Sequence, residues 1–295
     1  MENLFFILIL FSVLAYGIGL PLLTVYARKL DGLTITVYSN LSFIITMFPL
    51  LFFAEMSEIL EILNHLPMLL LASISGFIAV ASLFSANKYL PVGLNGGIKQ
   101  GIYIIFAFIL SYLFFNEKTT PIEFLIIFVI LISTILLSFM KMDLKHLDIQ
   151  HMNKGITYVI VSGVFQALSY FSFASLSRNL SPFVATYFWE AGIGVAALMF
   201  ILIFGGHFGV PKLKRISNNQ ILKISIVSTL AIIGTLCYSF AIKIGNFAIA
   251  TSLLTTTIVV YTIAGYILFK EKLNIKQITL MSIIIISVMV LKLIS

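Results

Sequence analysis

Residues 28–40, RKLDGLTITVYSN, and residues 178–190, RNLSPFVATYFWE, align without a gap at an offset of 150 residues. Each stretch begins where one apolar segment ends and continues into the next apolar segment. Within that second segment, Asn40 corresponds to Glu190. Because both stretches occupy the same place in a series of apolar segments, they predict that the chain contains an internal repeat.

Two further matches follow in the same order along the chain. Residues 86–88 (ANK) correspond to residues 241–243 (AIK), after the third apolar segment of each half. Residues 115–118 (FNEK) correspond to residues 269–272 (FKEK), after the fourth. Chance similarity between apolar segments is common, but the shared order and the nearly constant offset indicate a repeat of the whole unit.

The composition of the chain excludes a soluble protein. Hydrophobic residues make up 60% of its 295 residues, only 10% are charged, and the mean hydropathy is +1.12. A soluble domain needs about a quarter of its residues charged. The basic residues behind the net charge of +7 stand mostly singly or in pairs at the ends of apolar segments. This pattern is typical of membrane-loop anchors, so we expect no nucleic-acid partner.

Apolar stretches of about 20 residues, the length that crosses a bilayer as a helix, recur along the chain. Because the hydrocarbon interior leaves no other way to satisfy an open backbone, we predict an all-α integral membrane protein. The predicted spans are 4–26, 33–54, 66–89, 91–115, 122–140, 154–177, 182–204, 221–243, 245–268 and 275–293. Residues 1–146 form the first five-helix repeat and residues 150–295 the second. Since five is odd, the predicted fold is ten transmembrane helices as two inverted repeats.

This organisation resembles a known family. Five-plus-five helices, a turn-rich split between the third and fourth helices, and a Glu-Lys pair after the fourth helix of each half resemble the EamA-type transporters of the drug/metabolite transporter superfamily. The resemblance covers essentially the whole chain and implies export or uptake of a small metabolite by alternating access, without ATP. Members commonly carry a basic residue in the second helix of a half, where this chain has Asn40 and Glu190.

Two glutamates lie near the ends of predicted helices. Glu117 and Glu271, each next to a lysine, are interpreted as solvated interfacial ion pairs or helix anchors, because exposed pairs contribute little energy.

Thirteen Lys and Arg residues, including Lys141 and Lys145, fall on the side opposite the termini, and four fall on the terminus side. The positive-inside rule then puts the termini outside, whereas the family resemblance implies termini inside. From the charge count, we predict that the termini lie outside.

Two charged residues lie deep within the predicted spans. Glu190 is the only one of the eleven acidic residues so placed, and Lys99 is the only one of the eighteen basic residues. Each is about eight residues into its helix, which is about 12 Å at 1.5 Å per residue. In a hydrocarbon core about 30 Å thick, both approach the midplane. A charge there is costly and should face the bundle interior or a water-filled cavity, so both residues are candidates for the substrate site.

Polar residues accompany the two charges. Asn95 and Tyr103 lie one turn before and one turn after Lys99, on the same face of the helix. The other candidates are Asn40, Gln166 in the stripe Ser162-Gln166-Ser169, Tyr16 at the repeat-equivalent position of Gln166, and Thr255 on a face shared with Thr251 and Thr262. Hydroxyl groups in membrane helices often bond to their own helix carbonyls, which is the alternative role for the serines and threonines.

Two interpretations of the charged residues remain open at this point. In one, Lys99 and Glu190 form an ion pair that locks the halves together or belongs to a gate. In the other, they line a site for a small zwitterion or polar metabolite, and Glu190 takes up a proton that is coupled to transport. Sequence does not give their separation.

The expected function is therefore a secondary transporter for a small polar metabolite, such as an amino acid, an amine or a related compound, with export as the favoured direction. A passive channel or a receptor-like membrane protein is the alternative. We expect no enzyme activity, cofactor or metal, because the chain has no Walker loop, zinc-protease helix or nucleophile elbow. The expected partners are the lipid bilayer, the substrate and a coupling proton. We expect a multi-pass protein of the cell inner or plasma membrane, as a monomer or homodimer.

Overall fold

The computed structural model describes residues 2–27, 30–87, 89–90, 92–140, 149–207, 210–269 and 273–294. The first half contains α1 (Glu2–Ala27), α2 (Gly32–Thr46), α3 (Met56–Glu61), α4 (Leu66–Ala86), α5 (Val92–Leu110) and α6 (Pro121–Phe139). The second half contains α7 (Ile149–Asn179), α8 (Pro182–Phe204), α9 (Asn218–Ile244), α10 (Phe247–Leu254), α11 (Thr257–Phe269) and α12 (Ile275–Ile294). Arg28, Lys88, Lys141, Lys145 and Glu271, together with the boundary predicted at 146, lie outside the described residues.

The predicted fold class is confirmed. Nine helical stretches of the described residues are long and apolar enough to cross a membrane, and α2 is a shorter apolar helix. In this part of the chain there is no β-strand. The apolar side chains on the outer surface, such as Leu202 and Ile286, are exposed as expected for residues that face lipid.

The second and ninth spans differ from the prediction. The predicted span 33–54 contains the helix only as far as Thr46, and a 3₁₀ helix follows at Phe48–Phe53. Pro49 is at the start of that 3₁₀ helix, and its ring removes the N–H that a continuing α-helix needs. The predicted span 245–268 is two helices, α10 and α11, separated at Thr255 and Thr256.

The break in the ninth span has a local cause. Thr255, Thr256 and Thr257 are consecutive, and each hydroxyl donates to the carbonyl three residues earlier. These side-chain hydrogen bonds compete with the regular backbone hydrogen bonds of the helix. They also satisfy carbonyl groups that the break would otherwise leave without partners. The break is therefore compatible with a position inside the membrane.

The packing of the helices follows a pseudo-two-fold symmetry. The repeat pairs α1 with α7, α2 with α8, α4 with α9, α5 with α10 and α11 together, and α6 with α12. Several contacts between unlike helices have a counterpart: α4 packs on α7 as α9 packs on α1, and α4 packs on α8 as α9 packs on α2. Equivalent helices also meet each other, α2 against α8 and α6 against α12. The symmetry axis therefore passes between α2 and α8.

The caps of α6 and α12 repeat the same chemistry. Thr120 and Glu123 exchange hydrogen bonds with each other's backbone N–H at the start of α6, and Asn274 and Gln277 do so at the start of α12. A cap of this type satisfies two of the N–H groups that every helix start leaves unpaired. The equivalent residues are at the same offset as Glu117 and Glu271, so the caps support the repeat alignment.

Close contact between α2 and α8 brings the two halves together at the centre. A Cβ atom on Gly194 would lie 2.7 Å from the backbone carbon of Asn40 and 2.7 Å from the nitrogen of Leu41. Only glycine permits this approach, which is a common device where membrane helices cross. The contact places Asn40 of α2 beside Glu190, one turn before Gly194 on α8.

Candidate substrate site

A cavity of about 140 Å³ lies between the two halves. Its lining comes from both repeats, and it includes residues of α1, α2, α4, α5, α7, α8, α9, α10 and α11. The lining extends from the middle of the helices towards the ends of α1 and α4, at Leu23 and Phe84. Among the described residues that line it, Lys99 and Glu190 are the charged ones.

The cavity brings together most of the predicted site residues. Lys99, Glu190, Asn40, Tyr103, Gln166 and Tyr16 line it, whereas Asn95 and Thr255 do not. Asn95 is fully buried, and its amide nitrogen donates to Asn87 Oδ1 at 2.7 Å. Thr255 caps the end of α10 and donates to the carbonyl of Ser252 at 2.7 Å. Both residues therefore make contacts that stabilise helices, and neither lines the cavity.

The carboxylate of Glu190 is bonded to both halves of the protein. Its Oε2 accepts a hydrogen bond from Asn40 Nδ2 at 3.1 Å, and its Oε1 accepts one from Thr235 Oγ1 at 2.6 Å. The hydroxyl of Tyr16 lies 2.5 Å from Thr235 Oγ1. Asn40 and Tyr16 belong to the first half, and Glu190 and Thr235 to the second. The repeat-equivalent positions Asn40 and Glu190 therefore touch each other at the symmetry axis.

The proposed ion pair between Lys99 and Glu190 is not formed in this structure. Lys99 is 7% exposed and lines the cavity, and within the described part of the chain no carboxylate lies within 4.0 Å of its ammonium group. Glu190 is instead held by neutral donors, Asn40 and Thr235. The two charges thus face a shared cavity without neutralising each other.

Aromatic side chains form much of the remaining wall. Trp189 stacks on Phe173 with ring centroids 4.1 Å apart, and its Nε1–H donates to Ser169 Oγ at 3.0 Å. Ser169 in turn donates to the carbonyl of Ala72 in α4 at 2.7 Å. Tyr170 packs edge-on against Trp189 at 5.1 Å. These contacts fix the ring positions beside Glu190, so this part of the wall is rigid.

Sequence reasoning missed Thr235, Trp189 and Tyr170. Thr235 Oγ1 also lies 3.0 Å from the carbonyl of Ala231 in its own helix, the acceptor expected for most threonines in membrane helices. Nothing in its sequence neighbourhood separates it from threonines with that role alone. Trp189 is the single tryptophan and precedes Glu190 directly, which is the one signal that could have been used.

A second group of charged residues joins the helix ends on the terminus side, the side on which α1 begins and α12 ends. Arg178, at the end of α7, forms an ion pair with Glu117, which follows α5. Arg178 also donates to the carbonyls of Ile242 and Gly245 at 3.1 Å each, and its guanidinium lies 4.1 Å from the centroid of the Phe115 ring. We call this group the Glu117–Arg178 cluster.

The carboxylate of Glu117 completes the cluster at the start of α10. It accepts backbone N–H bonds from Phe247 at 3.0 Å and from Ala248 at 3.4 Å, and the Ser111 hydroxyl also donates to it. A carboxylate at a helix start binds the unpaired N–H groups and faces the positive end of the helix dipole. Glu117 is therefore not a solvated partner of Lys118, because its side chain is only 12% exposed.

Packed side chains separate the cavity from this cluster. Tyr170 of the cavity wall contacts Tyr238 at 5.3 Å, and the Tyr238 hydroxyl lies 3.0 Å from Thr251 Oγ1. One turn earlier on α10, Phe247 packs against Phe115 of the cluster at 5.8 Å. The cavity is thus closed towards the terminus side by packed side chains of the second half, which the contact between Phe247 and Phe115 joins to the first half.

The EamA-like transporter family model matches this chain twice, over residues 3–139 and 153–293, once in each half. The chain belongs to this family. The EamA-like transporters are part of the drug/metabolite transporter superfamily, so the resemblance seen in the repeat is confirmed. As an EamA-like transporter with membrane-spanning helices throughout, the chain is a multi-pass membrane protein and a transporter by family.

The fold of this EamA-like chain is also found in solved structures. One of them, described only as "Crystal structure of protein", superposes with a TM-score of 0.77 over 98% of this chain and 96% of that chain. Sequence identity is 13%, so the likeness shows the fold alone. No curated protein matches the chain.

Proposed function

We propose that this EamA-like chain is a secondary transporter that moves a small polar metabolite across the membrane by alternating access, with export as the favoured direction. An amino acid, an amine or a related compound is the class of substrate that a site with one carboxylate and one ammonium group would bind. The observation that carries the proposal is the cavity between the halves, which holds Lys99 and Glu190 and is closed on the terminus side.

Alternating access requires contacts that close one side of the site and can be exchanged for others. The Glu117–Arg178 cluster meets this requirement, because Glu117 belongs to the first half and Arg178 to the second. Its ion pair and backbone hydrogen bonds are confined to helix ends, so a movement of the halves breaks them without disturbing the helices themselves. In the proposed cycle, the cluster opens when the site faces the terminus side.

Glu190 is the proposed coupling residue. Its carboxylate is buried at the axis between the halves and receives hydrogen bonds from both of them. Addition of a proton gives one carboxylate oxygen an O–H donor and makes it a weaker acceptor, so the hydrogen bond from Asn40 or Thr235 on that oxygen is weakened or reversed. Uptake of a proton would therefore alter the contact between the halves, which is what coupling needs.

Two measurements test this proposal. Metabolite release from cells that overexpress the chain, compared with cells carrying the Glu190→Gln variant, identifies the substrate and the direction. Flux of that compound into proteoliposomes, with and without a pH gradient, then separates a carrier from a passive channel. A carrier saturates with substrate and responds to the gradient, whereas a channel does neither. Absence of flux for every compound released would favour the receptor-like alternative and contradict the proposal.

The location and partners are proposed on the same basis. We propose that the protein works in a cell inner or plasma membrane, surrounded by lipid, as a monomer or homodimer. The exposed apolar side chains of α6 and α12 are compatible with either state, since they can face lipid or a second copy. Membrane fractionation and the mass of the protein in lipid nanodiscs decide these two points.

A further inference from the structure

Lys99 is a buried cation without a partner among the described residues. Its side chain lines the cavity and is 7% exposed. Among the residues that the structure describes, none forms a hydrogen bond or an ion pair with its ammonium group. An ammonium group has three N–H donors and no acceptor, so all three are directed at the cavity or at apolar neighbours.

Glu190 does not supply the missing partner. One of its oxygens accepts from Asn40 and the other from Thr235, and both bonds hold the carboxylate on the α2, α8 and α9 side of the cavity. An ammonium group that is removed from water without a counter-charge costs several kcal/mol. A protein that retains such a group in a ligand-sized cavity gains from a ligand that neutralises it.

We propose that Lys99 binds the carboxylate of the transported compound, so that the substrate is a small metabolite with one carboxylate group and not a simple amine. This inference rests on the proposed transport function and makes its substrate class narrower. A singly charged carboxylate balances the single cation among the described residues of the wall. A phosphate ester, with nearly two negative charges, requires more donors than Lys99 offers and favours arginine.

The other residues of the wall fit a compound of this class. Gln100 follows Lys99, lines the same cavity and has a buried side-chain oxygen without a hydrogen-bond partner, which can accept an N–H from the ligand. Glu190 lines the same cavity and provides a carboxylate for a cationic group at the other end of the ligand. An amine that lacks the carboxylate brings a second positive charge next to Lys99, where it is repelled.

The test compares acids with their decarboxylated counterparts. Purified protein in detergent is incubated with each standard amino acid and with the amine formed from it by loss of the carboxylate, and binding is measured by isothermal titration and by the shift in Tm. Wild-type protein is expected to bind at least one amino acid about 100-fold more tightly than the corresponding amine, because a buried polar group left without its partner disfavours the analogue.

Variants of Lys99 show whether this residue causes the preference. Lys99→Met is expected to weaken amino-acid binding by about 100-fold and to strengthen binding of the amine, since the repelling charge is gone. Lys99→Arg retains the charge and should retain the preference for the carboxylate. Lys276→Met, which removes an exposed lysine at the start of α12, is the matched control and should bind as wild type does.

The outcomes separate this inference from the proposed function. Equal binding of an amino acid and its amine by wild-type protein overturns the role of Lys99, even where flux measurements support transport. The same holds if Lys99→Met keeps the preference for the acid. If no compound binds and none is carried, both the substrate class and the transport function are overturned. The wild-type comparison uses no variant, so it can overturn the inference even if Lys99→Met fails to fold.

Discussion

Removal of Arg178 should open the site towards the terminus side. Arg178→Gln leaves the Glu117 carboxylate without its ion pair and the carbonyls of Ile242 and Gly245 without their donor. Loss of one partner from a fully buried ion pair costs roughly 3–5 kcal/mol, and an exposed pair contributes about 0–1 kcal/mol. The side chains of Arg178 and Glu117 are 25% and 12% exposed. We therefore expect a loss of about 2 kcal/mol from the closed state, which is roughly a 30-fold larger open population.

A buried cysteine between the cluster and the cavity reports this population. Thr251 on α10 is 0% exposed and lies one turn beyond Phe247, so Thr251→Cys in a Cys237→Ala background places a thiol behind the closed contacts. A membrane-impermeant maleimide added on the terminus side alkylates the thiol only in the open state. When opening and closing are fast, the alkylation rate follows the open population. Arg178→Gln should then raise the rate about 30-fold.

Three further variants make this result specific. Lys118→Gln removes an exposed positive charge next to Glu117 and should leave the alkylation rate unchanged. Glu117→Gln should act like Arg178→Gln, and the double variant should add little, because both single changes break the same contact. If Arg178→Gln is alkylated at the rate of Lys118→Gln, the cluster does not hold the terminus side closed.

Two other predictions concern the contact between α2 and α8. Asn40→Asp puts a second carboxylate about 3.1 Å from Glu190, and like charges so close cost several kcal/mol. Its initial flux in proteoliposomes should be at least about tenfold below that of Asn40→Ala, and equal flux would contradict the role of this bond. Gly194→Ala should lower Tm by several degrees, since the new Cβ meets backbone atoms at 2.7 Å and overpacking costs about 1–3 kcal/mol. Gly96→Ala, with its nearest neighbour at 3.8 Å, should leave Tm unchanged or raise it, and an equal loss in both variants would argue against a close crossing.

The fold was predictable because few kinds of backbone structure can span a bilayer. Long apolar runs define spans, and an odd number of spans in each half implies inversion of the second half. The breaks were harder to see, because hydropathy does not change at them. Pro49 interrupts a run that stays apolar to Phe53, and the three threonines from Thr255 to Thr257 look like ordinary small residues until their hydroxyls are seen on the carbonyls of α10.

The site residues were predictable only where placing the side chain inside the membrane has a high energetic cost. A charge near the midplane needs a reason, so Lys99 and Glu190 could be picked from the sequence alone. Thr235 could not be picked from the sequence, because a threonine is uncharged and its presence in a membrane helix needs no functional explanation. The separation of Lys99 from Glu190 depends on the relative placement of α5 and α8, which no local pattern encodes. The pairing of Glu117 with Arg178 was missed for the same reason, since 61 residues separate them along the chain.

The central claim is that the cavity between the halves is the site of a coupled carrier, and Glu190 tests it most directly. The measurement is initial flux of the released metabolite into proteoliposomes, with wild-type protein and with Glu190→Gln, across a range of pH and with an imposed pH gradient. Glutamine keeps the size of the side chain and a carbonyl oxygen for Thr235, so the variant should be expressed and folded as wild type is. We predict that its flux is abolished or no longer responds to the gradient. Wild-type flux with wild-type pH dependence in Glu190→Gln would contradict the coupled-carrier mechanism.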